Sequence, residues 1–215
     1  MNISDPMTPI DILWQNFSKE SSLNALQLMQ FQTYYELLIT WHTTLCNLTT
    51  ITELSAVIED HFLDSLSLKD TIDLSSIHTI ADVGTGAGFP GVALKILFPH
   101  LKVFLIEVTQ KKRDFLAHVI QELGLADVTL IDLDWRTFLR STSYPIDIFC
   151  SRAALQPKEL IRLFKPSCFY KKQQIIYWAS KEWVATPEEM AYILKECIYN
   201  LPTKKRKLIF FAQPQ

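Results

Sequence analysis

Glycine is concentrated in one short segment of the chain, and this segment constrains the fold more than any other feature. Four of the five glycines in 215 residues fall between positions 84 and 91, where the sequence reads DVGTGAGFPG from Asp82. Glycine permits backbone dihedral angles that other residues rarely adopt, and it lets a ligand approach the main chain closely. An apolar run before these glycines and a helical pattern after them are typical of a nucleotide-binding α/β sheet.

Strand and helix patterns alternate from His78 to the end of the chain. The predicted strands are Thr79–Val83, Val103–Glu107, Val128–Ile131, Ile146–Cys150, Ile175–Ala179 and Lys207–Phe211. The predicted helices are Gly91–Leu97, Lys111–Leu123, Pro157–Phe164 and Pro187–Lys195. Such alternation indicates an α/β fold, with a doubly wound, mostly parallel sheet that helices cover on both faces.

The first 75 residues carry helical patterns only. Helices are predicted over residues 8–18 and 23–42, and Thr52 is the expected N-cap of a third helix that ends near Leu68. We therefore expect two units, a helical N-terminal cap over residues 1–75 and a sheet domain over residues 76–215.

The distribution of charge points to a polyanionic partner. The formal net charge is −2, but residues 151–215 hold twelve Lys and Arg against five Asp and Glu. A cationic C-terminal third suggests contact with a polyanion, and the alternative is that these side chains are ordinary solvated surface.

Several classes of protein are not expected from this sequence. The four cysteines (Cys46, Cys150, Cys168 and Cys197) have no metal-binding spacing, and the histidines do not cluster, so we expect free thiols and no metal. The sequence has neither a secretory signal nor an apolar run long enough to span a bilayer, so a soluble cytoplasmic protein without membrane contact is expected.

The residues around the glycine loop favour one cofactor. Glu107, at the end of the second predicted strand, can accept hydrogen bonds from both hydroxyls of a ribose. The spacing G-x-G-x-G differs from the G-x-G-x-x-G of dinucleotide sites, and Asp82 provides a carboxylate for an ammonium group. S-adenosylmethionine has a ribose diol, an ammonium group and no phosphate, so it is favoured over NAD. A glycine turn with a purely structural task is the remaining alternative.

Several motifs in a fixed order extend this interpretation. They are Asn47-Leu48-Thr49, His61-Phe62-Leu63-Asp64-Ser65-Leu66, the glycine loop, Lys112-Arg113 with Phe115-Leu116, and Ser151-Arg152-Ala153. With these motifs, the chain resembles the glucose-inhibited division protein B family, bacterial methyltransferases that form 7-methylguanosine in small-subunit ribosomal RNA. The resemblance implies a Rossmann-like methyltransferase domain over residues 76–215, behind the helical cap.

The resemblance also implies which residues bind the cofactor. With the residues inferred above, the expected set is Asp82, Gly84, Gly86, Gly88, Phe89, Glu107, Trp135, Arg136 and Arg152. This chain has Asp134-Trp135-Arg136 where the family usually has Arg, a small or apolar residue, and Glu. It also has Glu182 after Lys181 where the family has glycine.

The expected reaction needs no general base. Guanine N7 carries an in-plane lone pair and no proton, so methyl transfer needs only alignment and exclusion of water. Arg152 is expected to position the reactants, through the methionine carboxylate or the guanine edge, and the alternative is a structural salt bridge. His61 and Asp64 share a helix face and are expected to make a packing contact between helix and sheet.

The expected partner is 16S rRNA or the small ribosomal subunit, bound by a monomer. The RNA-binding residues are expected to be Lys112, Arg113, Lys181, Lys204, Lys205, Arg206 and Lys207. Two alternatives are left open, a methyltransferase for another RNA or a small molecule, and a non-catalytic module that binds RNA or a nucleotide.

Overall fold

The computed structural model describes residues 7–44 and 48–214, and within them seven strands form one sheet. The strands are β1 (Thr79–Val83), β2 (Lys102–Ile106), β3 (Val128–Ile131), β4 (Ile148–Arg152), β5 (Gln174–Ser180), β6 (Ile193–Asn200) and β7 (Lys205–Phe211). Their order across the sheet is β3-β2-β1-β4-β5-β7-β6. The first five strands run parallel, and β7 pairs antiparallel with both β5 and β6. The predicted doubly wound, mostly parallel sheet is confirmed.

Helices lie before the sheet and between its strands. They are α1 (Pro9–Ser21), α2 (Ala25–Thr44), α3 (Leu54–Val57), α4 (Asp64–Leu66), α5 (Gly91–Leu97), α6 (Gln110–Glu122), α7 (Trp135–Ser141), α8 (Pro157–Leu160) and α9 (Pro187–Met190). A π turn, Ile58–Leu63, joins α3 to α4 without a break. This π turn and the two helices beside it carry most of the cap residues that reach the functional site.

An aromatic cluster anchors the cap. Phe17, Phe31 and Phe62 are buried, and their ring centroids lie 4.9 to 5.6 Å apart. These rings share one hydrophobic core with α5, α6 and one face of the sheet. Because each fully buried phenylalanine contributes about 1.5–3 kcal/mol, the cap is firmly attached. The division into two units at residues 75 and 76 stays a prediction.

The opposite face of the sheet has its own core. Trp135, Phe138, Phe149 and Tyr170 pack there with aliphatic side chains of α8 and of a 3₁₀ turn, Ile161–Phe164. Helical segments thus cover both faces of the sheet.

The predicted helix over Pro187–Lys195 is wrong in its second half. The helix ends at Met190, and β6 begins at Ile193. Side chains along β6 alternate, with Cys197 and Tyr199 packed on the core and Ile198 exposed. A turn in which the Leu201 amide donates to the Lys204 carbonyl at 2.8 Å returns the chain into β7. The alternation of the hairpin therefore prevails over the helical pattern.

Two local expectations near helix starts also need correction. Glu53, not Thr52, is the N-cap of α3, and no side chain caps this helix. Helix α7 was not predicted, although the Asp134 carboxylate caps it by accepting from the amides of Arg136 and Thr137. Cys46 and Asn47 lie outside the described residues.

Other expectations concern cysteines, metals and membranes. Cys150, Cys168 and Cys197 are free thiols. In the described ranges, no group of histidine, cysteine and carboxylate side chains could hold a metal ion. No helix in these same ranges has the length and apolar character needed to cross a membrane.

Candidate active site

A cleft of about 760 Å³ opens at the carboxyl ends of the parallel strands. Loops after β1 to β4 line it, together with the π turn and the turn between β6 and β7. Ligands of doubly wound sheets bind at this edge. The predicted site residues that line the cleft are Gly84, Gly86, Phe89, Glu107, Lys112, Trp135, Arg152, Lys204 and Arg206. The predicted site residues that do not line it are Asp82, Gly88, Arg113, Arg136, Lys181, Lys205 and Lys207.

The glycine loop brings main-chain atoms to the cleft. Gly84 and Gly86 have φ angles of 67° and 61°, in the left-handed region that favours glycine. The Gly84 amide donates to the Ile106 carbonyl at 2.9 Å and ties the loop to the end of β2. A Cβ on Gly84 would overlap the Cβ of Ala154, whereas a Cβ on Gly86 would meet only the Gly84 oxygen, at 3.9 Å. The main chain at Gly86 is therefore open to a ligand.

Gly88 faces the cap rather than the cleft. Its φ angle is 102°, and a Cβ there would lie 2.5 Å from the hydroxyl oxygen of Tyr34. That hydroxyl donates to the Ala87 carbonyl at 2.5 Å. Helix α2 reaches the loop only because residue 88 has no side chain, so the expected cofactor contact of Gly88 is replaced by a role in cap docking.

Asp82 is fully buried beneath the glycine loop. Its Oδ2 accepts from the Thr85 hydroxyl at 2.7 Å and from the Gly91 amide at 2.8 Å. Burial raises the pKa of Asp82 to about 6, although both hydrogen bonds act in the opposite direction. The carboxylate expected to hold an ammonium group instead closes the loop onto α5.

Glu107 places its carboxylate in the wall of the cleft, and we call this side the Glu107 end. Its Oε2 accepts from the Gly86 amide at 3.1 Å, and its Oε1 accepts from the Thr109 amide at 2.8 Å. The Lys112 ammonium lies 3.9 Å from Oε2. Each carboxylate oxygen keeps a further acceptor position, so Glu107 can accept from two neighbouring hydroxyls of a ligand.

Arg113, next to Lys112, is a structural residue. It is buried and donates to the Glu107 carbonyl at 3.0 Å and to the Gln110 side chain at 2.6 Å. It also forms an ion pair of 2.7 Å with Asp132. With its guanidinium engaged at the ends of β2 and β3, the expected RNA contact of Arg113 does not fit, while Lys112 lines the cleft.

The pair after β3 divides between the core and the surface. Trp135 borders the cleft, but it is 5% exposed and its indole Nε1 donates to the Glu159 carbonyl at 2.8 Å. The Arg136 guanidinium lies outside the cleft, in an ion pair of 2.9 Å with the Glu159 carboxylate. Of the two expected cofactor contacts, only Trp135 is therefore placed to serve.

Arg152 defines the opposite side of the cleft, which we call the Arg152 end. Its Nη1 donates to the Asp60 carbonyl at 2.6 Å and to Asp64 Oδ2 at 2.9 Å, and its Nη2 contacts His61 Nδ1 at 3.1 Å. Its guanidinium lies 5.2 Å from the centroid of Phe89. These contacts use three of the five N–H bonds of a guanidinium. The salt bridge considered for Arg152 exists, but its partner lies on a cap helix rather than on a strand.

His61 is neutral and has a defined tautomer. Burial, together with the Arg152 charge, lowers the pKa of His61 to about 3. Because a guanidinium can only donate, His61 Nδ1 accepts from Arg152 and Nε2 carries the proton. That Nε2 lies 2.8 Å from the Thr49 hydroxyl oxygen, which also accepts from the Ile51 amide. The ring stacks on Phe89 at 4.7 Å, so the expected packing role of His61 is confirmed.

Acidic cap residues hold the turn before β7. The Glu59 carboxylate accepts from the amide and the hydroxyl of Thr203, at 2.8 and 2.5 Å. Asp60 forms an ion pair with Lys204. Asp64 Oδ1 lies 3.0 Å from the Nε of Arg206. Lys204 and Arg206 thus reach the cleft under the control of the cap.

A second depression, which we call the basic groove, adjoins the cleft. It measures about 450 Å³ and is lined by Ser180, Lys181, Glu182, Thr203, Lys204, Lys205 and Arg206. Lys204 and Arg206 line both the groove and the cleft. Lys207 points elsewhere, since it is buried and forms an ion pair of 3.0 Å with Glu196. Four of the expected RNA contacts therefore share one groove, and Lys207 is not among them.

Sequence reasoning missed several residues that shape the site. Tyr34, Asp60 and Tyr199 carry no motif, and each acts through a contact distant in sequence. One signal was available for Asp64, because a carboxylate in an otherwise apolar helix pattern calls for a buried partner.

Comparisons with known proteins agree on one family. A family model described as rRNA small subunit methyltransferase G matches residues 27–208. Among the curated relatives, Ribosomal RNA small subunit methyltransferase G of Geobacillus kaustophilus is 42% identical over 146 residues, which are 67% of this chain and 61% of the relative. The protein of the same name from Lysinibacillus sphaericus is 33% identical over 198 residues, or 91% of this chain and 81% of the relative. The matches to the Geobacillus relatives span 61–63% of their length.

Solved structures share the fold. MtNAS in complex with MTA and tNA has a TM-score of 0.60 at 15% identity, over 94% of this chain and 82% of that one. The human methyltransferase 10 domain containing protein has a TM-score of 0.57 at 14% identity, over 84% of this chain and 96% of that one. At these identities the likeness concerns the fold alone.

Proposed function

The chain belongs to the family of rRNA small subunit methyltransferase G, and from this premise we propose that it transfers a methyl group from S-adenosylmethionine to N7 of a guanine in 16S rRNA. The membership confirms the resemblance that the sequence motifs indicate. In the proposed reaction the N7 lone pair forms a bond to the methyl carbon while the carbon–sulfur bond breaks. S-adenosylhomocysteine leaves with the bonding electrons on sulfur.

The observation that carries the proposal is the geometry of Glu107. Backbone amides of Gly86 and Thr109 hold both oxygens of its carboxylate at the wall of the cleft. Two neighbouring hydroxyls of a ribose fit this acceptor pair. The open main chain at Gly86 leaves room for the rest of a nucleoside beside it. The Glu107 end therefore suits the adenosine of S-adenosylmethionine, which when bound supplies an electrophilic methyl group.

The remaining cofactor contacts are assigned by position. The main chain at Asp134 and Trp135 borders the cleft next to the Glu107 end, where an adenine would lie. Arg152 retains two N–H bonds beyond those to Asp60, Asp64 and His61, and these can donate to a carboxylate or to guanine O6. In this proposal Arg152 holds the two reactants in line.

The Arg152 end suits an acceptor that has no proton to lose. His61 is neutral, but its Nδ1 lone pair already accepts from Arg152. The Asp60 and Asp64 carboxylates face Lys204, Arg152 and Arg206. Among the described residues at this end, each candidate base is thus engaged within the chain. Guanine N7 needs no base, in contrast to an amine or a hydroxyl.

The basic groove is the proposed contact for the RNA backbone. Its lysines and Arg206 lie next to the Arg152 end, so a phosphate in the groove would lie beside a guanine in the cleft. We assign Lys181, Lys204, Lys205 and Arg206 to this contact. We propose a monomer, because residues of one chain line both cavities, and a cytoplasmic site of action on rRNA or the small subunit.

The direct test is methylation by the purified protein. Labelled S-adenosylmethionine is incubated with 16S rRNA transcript or with small subunits that lack the modification, and 7-methylguanosine is mapped by chain cleavage at the modified base. We expect one modified guanine. Arg152→Met should abolish the signal, whereas Arg162→Met, which removes an arginine paired with Glu159 outside the cleft, should retain it.

Other outcomes would replace the proposal. Methyl transfer to a different RNA or to a small molecule would change the substrate but keep the reaction. Binding of S-adenosylhomocysteine and RNA without any transfer would indicate a non-catalytic binding module.

A further inference from the structure

Asp64 occupies an unusual place in the molecule. It begins the short helix α4, directly after the π turn, and its side chain is completely buried. It does not line the cleft, yet both arginines that line the Arg152 end contact its carboxylate. A buried carboxylate is costly unless charged and polar partners surround it. Its partners therefore show what the residue does.

Four neighbouring strands of the sheet meet at Asp64. Its Oδ2 accepts from Arg152 of β4 at 2.9 Å, and its backbone carbonyl accepts from the Trp178 indole of β5 at 2.8 Å. Its Oδ1 accepts from the Tyr199 hydroxyl of β6 at 2.5 Å and lies 3.0 Å from Nε of Arg206 in β7. Each strand of the β4-β5-β7-β6 half thus contributes one contact.

The direction of each contact is defined. Burial and the neighbouring Asp64 charge raise the pKa of Tyr199, so its phenol keeps its proton and donates. The arginines are permanently charged donors. Asp64 is therefore the shared counter-ion of two cations that would otherwise repel each other beside the cleft.

We propose that Asp64 is a positioning residue, which fixes Arg152 and Arg206 in one arrangement at the Arg152 end. This inference rests on the proposed function, because it names the residue that aligns the groups facing the RNA. Arg152 lines the cleft and Arg206 lines both the cleft and the basic groove. The carboxylate thereby sets the distance between the group that faces the guanine and the group that faces the phosphate.

The test compares Asp64→Asn with a matched control in the same buried segment. Ser67→Ala removes a hydroxyl that donates to the Asp64 carbonyl at 2.8 Å and leaves the carboxylate untouched. We expect Asp64→Asn to lower kcat/KM for rRNA at least tenfold, whereas Ser67→Ala lowers only the Tm. Equal activity of wild type and Asp64→Asn, measured well below the Tm of each, would overturn the inference.

A double-mutant cycle tests whether Asp64 acts through the arginine. If it does, the loss caused by Arg206→Met should be at least threefold smaller in the Asp64→Asn background than in the wild type. Multiplicative losses, with no coupling, would overturn the inference. If Asp64→Asn does not fold, Tyr199→Phe replaces it in the cycle, because this variant removes one hydrogen bond to the same carboxylate oxygen.

Binding of rRNA provides a second readout that needs no turnover. The same coupling should appear in the rRNA affinity of the four proteins of the cycle. Wild-type protein that methylates nothing, with coupling still present, would refute the proposed function and leave the Asp64 inference standing. Active wild-type protein whose variants show no coupling in either readout would refute the inference alone.

Discussion

The two ends of the cleft are held by different kinds of contact. At the Glu107 end, the partners are close in sequence, such as Glu107 with Thr109, two residues apart, and with Gly86, 21 residues apart. At the Arg152 end, Asp64 meets Arg152 across 88 residues and Tyr199 across 135. One end is formed by loops of the sheet and their amides, and the other by ion pairs between the cap and the last strands. The Arg152 end therefore depends on cap docking, and the Glu107 end does not.

The largest expected effect is confined to the Glu107 end. Gly86→Asp places a charged side chain where the main chain is open to a ligand, so binding of S-adenosylhomocysteine should be lost in calorimetric titration. Gly124→Asp is the matched control, because Gly124 has the same φ of 61° and also has open space around it, outside the cleft. Both variants share the backbone strain. Similar affinity in the two variants would contradict the assignment of the loop.

The next effect belongs to the Arg152 end and depends on pH. An unfolded histidine has a pKa near 6.5, whereas His61 in the folded chain has a pKa of about 3. Between these values the unfolded chain binds a proton that the folded chain does not. The free energy of unfolding therefore falls as the pH is lowered from 6.5 towards 3, by up to about 1.4 kcal/mol per pH unit.

His61→Gln removes this dependence and isolates it from that of Asp82. The raised pKa of Asp82 acts with the opposite sign, since its stability contribution falls as the pH rises from about 4 to about 6. Asp82 is present in both proteins, so the difference between them reports His61. Urea unfolding at pH 7, 6 and 5 should show the gap between wild type and variant changing by about 1.4 kcal/mol per unit. Parallel pH profiles would show that the histidine is not dry.

A smaller effect sharpens the comparison at the Glu107 end. Glu107→Ala should weaken S-adenosylhomocysteine binding by about 1–3 kcal/mol, through loss of charged hydrogen bonds to the ribose. The thermal stability of the Arg152 end and the rRNA salt dependence should not change. Glu122→Ala, which removes an exposed carboxylate at the end of α6, is the control. Unchanged affinity of Glu107→Ala would remove the ribose assignment.

The smallest effect concerns the basic groove. Replacing Lys181 and Lys205 by alanine should flatten the slope of log K for rRNA against log salt by about 0.7–0.9 per lost phosphate contact. Cofactor affinity should stay the same, because neither residue lines the cleft. Lys158→Ala with Lys165→Ala removes two exposed lysines elsewhere and should leave the slope unchanged. Equal slopes for the two double variants would make the groove an ordinary solvated surface.

The two ends also differ in how far the sequence could predict them. Gly84, Gly86 and Glu107 lie where strand ends and glycine spacing place them, because local dihedral angles and parallel strand order determine this region. Arg113 and Lys207 were expected at the surface for RNA, but Asp132 and Glu196 neutralise them in the fold. No local pattern distinguishes a paired lysine from a free one.

Long-range contacts explain the other differences. Asp82 and Gly88 belong to the glycine motif, but the backs of their backbone segments face α5 and α2, so packing uses them before a ligand can. Strand β6 has polar residues and an exposed edge, and only its pairing with β7 reveals it. Tertiary partners, rather than intrinsic propensity, decide each of these cases.

The π turn between α3 and α4 has a consequence for how this chain can change over evolution. A π turn contains one more residue per hydrogen-bonded ring than an α-helix, so Ile58–Leu63 acts as a one-residue insertion in an otherwise continuous helix. Deleting one residue would rotate everything after it by about 100° relative to everything before it. Glu59 would keep its facing while Asp64 turned away from the sheet. We therefore expect descendants of this chain to exchange side chains in this segment more readily than they change its length.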